Sequence, residues 1–545
     1  MHHIDDNPYQ SPKEVGADGE AGRIDMPSQL FATKSLDGLL KDMESDNRLK
    51  RALGPINLTA LGVGAVIGAG IFVATGEAAR NTAGPALMVS YMVAGLACIF
   101  AALCYAEFAS MAPVAGSAYT YAYTTLGELF AWIIGWDLVL EYAVGASTVA
   151  NGWSGYFQKV LKGVGLHFPE VIGKAPLEWN HGAEWGEPWN WVSLTGSYVN
   201  LPAVIIVFII AAILVKGISE SAGFNVLMVF IKVAAVLFVV LVGAFYINPA
   251  NWTQSVTPDG RTGFAPFGWG GFSFFGIESL TIGQRVEGRP VGMLAGAALI
   301  FFAYIGFDSV STHAEEAKNP KRDVPIGIVA SLVLCTILYV AVVAVLTGMV
   351  PFYKIDPNAG VSSAFAERGL KWAEFIIAAA GVAGITSVLL VMMLSGPRVF
   401  LAMARDGLVP KAFFADIHPT FRTPWKSTIA IGLFVAVLAG LLPINALLEL
   451  TNIGTLFAFV VVCAAVLVMR RTNPDAHRPF RCPLVPVIPV LGILLCLMLM
   501  MSLPVGNWLR LFGWMILGLI IYFTYSRYHS VLGKELRGEV AKEPA

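Results

Sequence analysis

The chain has 545 residues, of which 56% are hydrophobic and only 13% charged, with a formal net charge of −1. Soluble domains carry about 25% charged residues, so this composition excludes an ordinary soluble globule. The near-neutral balance gives no support for nucleic-acid binding. Six cysteines are spread without a CxxC spacing and call for neither a disulfide framework nor a zinc site.

In chain order, residues 1–50 are polar and lack the short apolar core and cleavage site of a signal peptide. They read as a cytoplasmic N-terminal tail. Apolar runs of spanning length then recur from Ile56 to Tyr525. They lie near 56–76, 86–111, 129–149, 201–218, 226–247, 293–312, 326–350, 373–396, 427–442, 446–469, 484–504 and 508–525. The prediction is an all-α integral membrane protein of about 12 transmembrane helices, because an open sheet cannot satisfy its backbone in lipid. An even number of spans puts both termini on one side. Basic clusters such as Lys318–Lys321–Arg322 and Arg470–Arg471–Arg478–Arg481 place that side in the cytosol of a cell membrane. Residues 529–545 read as a second cytoplasmic tail. The segment 256–290 is rich in glycine and aromatic residues, with no evident role.

Two spans carry signs of interruption. The first contains GAVIGAG (Gly64–Gly70), and three glycines in seven residues invite unwinding at about 1 kcal/mol each. Unwound backbone at membrane depth lines a cavity or is buried in protein, and its free N–H groups suit a carboxylate. Close packing of small residues is the competing explanation. The sixth span contains FFAYIGFDSVST (Phe301–Thr312), where Gly306 weakens the helix and Asp308 is placed to cap a restarted one. Paired interruptions five spans apart point to inverted repeats with a transport site at their interface.

Lys232 lies near the middle of the apolar run Phe224–Ile247. An ammonium there costs about 2.5–3.5 kcal/mol on insertion scales and is too deep to reach water, so it needs a partner or a task. Asp137 and Glu141, four residues apart on one face of the third span, supply acids at a compatible depth. Glu141 is the expected relay or counter-ion of Lys232, with Asp137 second. Glu107, nearer the inner end of the second span, reads as structural.

Several long segments resemble the amino acid–polyamine–organocation superfamily, in its cationic amino acid transporter branch. They are LTALGVGAVIGAGIFVATG, CYAEFASMAPVAGSAYTYAY, GWDLVLEYAVGASTVANGWSGYF, FFAYIGFDSVSTHAEEAKNPKRDVPIGI and GPRVFLAMARDGL. The resemblance implies a LeuT-like five-plus-five inverted repeat, here 51–250 and 251–470, followed by two extra helices in 471–528. It further implies that the N–H groups at Gly68, Ala69 and Gly70 hold the substrate carboxylate. Carbonyls at Val66, Phe302, Ala303 and Ile305 would take the α-ammonium, with Phe302 closing over the substrate. Lys232 matches the lysine that replaces a coupling sodium in proton-coupled members. Met392, in LLVMMLSGPR, matches a position that is small in transporters of cationic substrates, and its bulk leaves room for a side chain of alanine size. The expected function is proton-coupled uptake of small neutral L-amino acids by alternating access, without a cofactor. A cationic amino acid transporter or exchanger and a non-transporting amino acid sensor are the alternatives. No clustered intramembrane nucleophile or HExxH motif suggests an enzyme.

Overall fold

The computed structural model describes residues 29–34, 53–111, 117–179, 192–217, 221–254, 256–257, 260–286, 289–312, 317–357 and 359–539. Most of the expected 1–50 tail lies outside them. The protein is mainly helical. Among the described residues seven helices are long and apolar enough to cross a membrane, and five shorter apolar helices of 10–17 residues accompany them.

The principal helices are α1 (Pro55–Val66), α2 (Leu87–Met111), α3 (Ser117–Thr125), α4 (Glu128–Gly163), α5 (Leu201–Lys216), α6 (Ser221–Gly243) and α7 (Met293–Ile300). They continue with α8 (Pro320–Met349), α9 (Lys371–Arg405), α10 (Trp425–Leu441), α11 (Ile444–Thr472), α12 (Val487–Met501), α13 (Val505–Ile521) and α14 (Val531–Leu536). Each predicted apolar run overlaps one of these helices. Helix α9 packs extensively on α4 and also reaches α6, so it stands between them. Helices α1, α2 and α8 form a second tight group. Outward-facing leucines, isoleucines and phenylalanines on α5, α10 and α13 remain exposed, as expected of helices whose outer faces meet lipid rather than water.

The segment with no role assigned from sequence folds into two short antiparallel ribbons, Phe272–Ser273 with Thr281–Ile282 and Gln284–Val286 with Arg289–Val291. Its glycines adopt positive φ where the chain turns, as at Gly271 and Gly283. The segment caps the bundle: Gly292 N–H donates to Thr82 O at 2.8 Å, and Arg289 lies 3.5 Å from Glu77.

At the opposite end the two described chain ends are docked, not free tails. Glu128 is fully buried at the start of α4 and accepts hydrogen bonds from Gln29 (3.1 Å), Tyr123 (3.1 Å), Tyr522 (2.9 Å) and Ser530. Lys34 pairs with Asp406 at 3.2 Å. Buried Glu128 and the Lys34–Asp406 pair repay the cost of ordering these segments. Glu107 has the structural role expected of it: Arg470 donates to both carboxylate oxygens (2.9 and 2.8 Å) and Cys482 N–H to Oε2 (2.8 Å). Arg478 completes the cluster with Nε 3.2 Å from Oε1, an ion pair without hydrogen-bond alignment.

Candidate functional site

Helix α1 stops at Val66 because Ile67 turns extended (φ −71°, ψ 107°). The chain re-enters helix in a π-turn over Gly70–Ala74. The N–H groups of Gly68, Ala69 and Gly70 therefore open a new helix, where the first N–H groups have no acceptor within the helix. On the sixth run α7 tightens into a 3₁₀ turn over Phe301–Tyr304, and Ile305 is extended (φ −60°, ψ 136°). Gly306 follows at φ +113°, before a short helix at Ser309–Thr312. Both interruptions lie where the glycine pattern put them.

The two breaks touch. A Cβ at Gly70 would overlap the backbone of Ala303, and one at Gly306 would stand 2.9 Å from Ala65 O. Glycine is required at 306 twice over, for its φ and for that approach. Tyr339 on α8 binds the pair: its hydroxyl lies 2.9 Å from Val66 O and 3.0 Å from Ala303 O. One hydroxyl has one proton, so it serves these two carbonyls in turn. Asn452 on α11 donates to Ala298 O and Leu299 O, both at 2.9 Å, and fixes the end of α7. Sequence reasoning missed Tyr339 and Asn452. Each acts on backbone far away in the chain, and no local spacing marks such a residue.

The predicted substrate residues Val66, Gly68, Ala69, Gly70, Phe302, Ala303 and Ile305 are all buried within this paired break. Val388 on α9 packs where a Cβ of Gly68 would be. Met392, one turn further along the same face, is buried with its sulfur 3.2 Å from the Cβ position of Gly145 on α4.

Lys232 is 0% exposed, and its ammonium donates to Gly64 O, two residues before α1 ends. Its stem runs past Gly384 on α9, where a Cβ would meet Cγ at 2.9 Å. An apolar interior makes a buried ammonium costly unless it is hydrogen-bonded, and the bond to α1 supplies that compensation.

The acids are arranged differently from expectation. Among the described residues Lys232 forms no ion pair with Glu141 or Asp137. Depth along two helices is only one coordinate, and α9 stands between α4 and α6. Glu141 and Asp137 belong to a separate cluster. Tyr142, the residue after Glu141, donates to Asp308 Oδ2 at 2.7 Å. Asp137 is fully buried, and among the described residues neither carboxylate oxygen has a hydrogen-bond partner; the same holds for Glu141 Oε2. Both acids line a cleft of about 280 Å³ between α4, α11 and α13, which Arg510 also lines. Among the described residues no group of three or more His, Cys, Asp or Glu could hold a metal ion.

Comparison with known proteins agrees with this architecture. The family model described as amino acid permease matches residues 53–523. A branched-chain amino acid permease of Bacillus subtilis is 45% identical over 510 residues, covering 93% of this chain and all of that protein. A methylthioribose transporter of the same organism is 42% identical over 507 residues, again with 93% and full coverage. A vacuolar cationic amino acid transporter of Arabidopsis thaliana is 37% identical over 450 residues, covering 82% of this chain and 68% of its own. The chain belongs to the amino acid permease family of the amino acid–polyamine–organocation superfamily.

Proposed function

We infer that this protein is a proton-coupled secondary transporter that takes up small neutral L-amino acids by alternating access. The observation that carries the reading is the contact of two broken helices with a buried ammonium bonded to one of them, Lys232 to Gly64 O. In this reading the seven long and five short apolar helices make twelve spans, with a five-plus-five inverted repeat and α12 and α13 added. Both chain ends lie in the cytosol of a cell membrane.

The substrate carboxylate sits on the N–H groups at Gly68, Ala69 and Gly70. Its α-ammonium takes lone pairs of Val66 O, Phe302 O, Ala303 O and Ile305 O, two of which Tyr339 already orients. Charged Lys232 holds α1 to α6, and its deprotonation releases that tie. Losing a charge-assisted hydrogen bond shifts an equilibrium by about 1.5–3 kcal/mol, enough to change the balance of two transporter states about tenfold or more. Glu141, with Asp308 beside it, and Asp137 form a second protonatable group that reaches the cleft. Proton exchange through that group does not require contact with Lys232.

Buried Val388 and Met392 favour a short apolar side chain, and the branched-chain permease supports a neutral aliphatic substrate. The plant relative supports a cationic one. Purified protein in liposomes, given labelled alanine, valine and arginine with an inward proton gradient, separates the readings. Sodium-independent accumulation of alanine or valine supports neutral symport. Stronger transport of arginine would reverse the substrate assignment, and binding without accumulation of any of the three would mark a sensor.

A further inference from the structure

A cavity of about 450 Å³ lies at the end of the bundle that carries both docked chain ends. Its walls come from two places far apart in the chain: the segment after α9, with Gly407, Val409 and Lys411, and the chain end, with Tyr525, His529 and Lys534. The walls are fixed to one another. Ser526 Oγ donates to Leu408 O at 2.6 Å, and Val531 N–H donates to Asp406 O at 3.0 Å. Gly407 has φ +79°, and a Cβ there would overlap His529 O, so the two segments meet backbone to backbone.

The lining is one-sided in charge, with two lysines, a histidine and no carboxylate. Two other lysines at this end are paired: Lys34 with Asp406 at 3.2 Å and Lys426 with Asp416 at 2.7 Å. Among the described residues neither Lys411 nor Lys534 has an ion-pair or side-chain hydrogen-bond partner. The His529 ring stacks on Tyr525 with centroids 4.1 Å apart, and its Nδ1 lies 2.9 Å from Tyr525 O. That leaves Nε2 as the atom open to a ligand. An open cleft of this size, lined by two lysines and a stacked histidine, has the chemistry of a phosphate-ester site.

We propose that this cavity binds a phosphate-bearing anion through Lys411, Lys534 and His529, and that occupancy clamps the chain end onto the segment following α9. Two sources share that chemistry, an anionic lipid headgroup and a soluble phosphate compound. The clamp matters because α9 also carries Val388 and Met392, while the chain end holds Gln29 through Arg527 O at 2.9 Å. A bound anion favours the arrangement in which all these contacts are made.

The test uses the full chain in phosphatidylcholine nanodiscs, titrated with pyrophosphate or prepared with added phosphatidylglycerol. The readouts are the thermal unfolding midpoint and the pyrophosphate Kd. The Lys411→Gln/Lys534→Gln variant is compared with Lys318→Gln/Lys321→Gln, which removes equal charge outside the cavity. Pyrophosphate stabilisation of the parent that weakens at least about tenfold in the cavity variant only supports a soluble ligand. Stabilisation by phosphatidylglycerol alone, lost in the cavity variant only, supports a lipid headgroup. No stabilisation by either probe, or equal loss in both variants, overturns the site. Because these readouts need no transport, failure here leaves the transport assignment standing, and the converse.

Discussion

Tyr339→Phe isolates the contact that joins the two broken helices. The ring should stay in place, since it packs edge-on against Tyr91 and Tyr304 with centroids 5.4 and 5.5 Å away. What disappears is one proton shared between Val66 O and Ala303 O, at 2.9 and 3.0 Å. The lost hydrogen bond is worth about 1 kcal/mol, and a buried carbonyl left without a donor costs about 1–3 kcal/mol. In a chain of this length that corresponds to a fall of a few degrees in the unfolding midpoint. Midpoints of detergent-solubilised parent and variant, with exposed Tyr198→Phe as control, measure it directly. Saturating alanine should recover part of the loss, because its ammonium supplies the missing donor. A midpoint equal to that of the parent would refute the claim that this hydroxyl ties the breaks together.

Gly306→Ala should lower the uptake rate at least about tenfold at unchanged membrane yield. Its φ of +113° and the 2.9 Å approach to Ala65 O leave no place for a methyl group, and strain of this kind costs about 1–3 kcal/mol. A parental rate would show that the breaks need not touch. Glu107→Ala leaves Arg478 buried without its carboxylate, a class of change that costs about 3–5 kcal/mol. The expected result is a marked drop in midpoint and in monodisperse yield on size exclusion, and parental behaviour on both would contradict it. Met392→Ser should let arginine compete for uptake by emptying volume beside Gly145. An unchanged competition profile would reduce Met392 to packing.

The breaks were legible because glycine marks backbone that cannot stay helical, and Gly64, Gly68, Gly70 and Gly306 cluster where the chain yields. Lys232 was legible because a cation in an apolar run has few physical explanations. The partner of that cation was not. Residue counting placed Glu141 at a matching depth but carried no lateral information, and α9 fills the gap. Tyr339 with Val66, Asn452 with the end of α7, and Asp308 with Tyr142 are contacts spanning more than a hundred residues, which no local pattern records. The docking of Gln29 and Ser530 was hidden for a related reason. Gln29 and Ser530 look like tail residues until buried Glu128 brings them together.

The central claim is that the Lys232 ammonium, held against Gly64 O, couples proton movement to substrate movement. The most direct measurement compares Lys232→Met with the parent in the same liposomes, by exchange of labelled alanine without a gradient and by accumulation with an inward proton gradient. The account predicts that exchange persists while gradient-driven accumulation is lost. Accumulation at the parental level would contradict it.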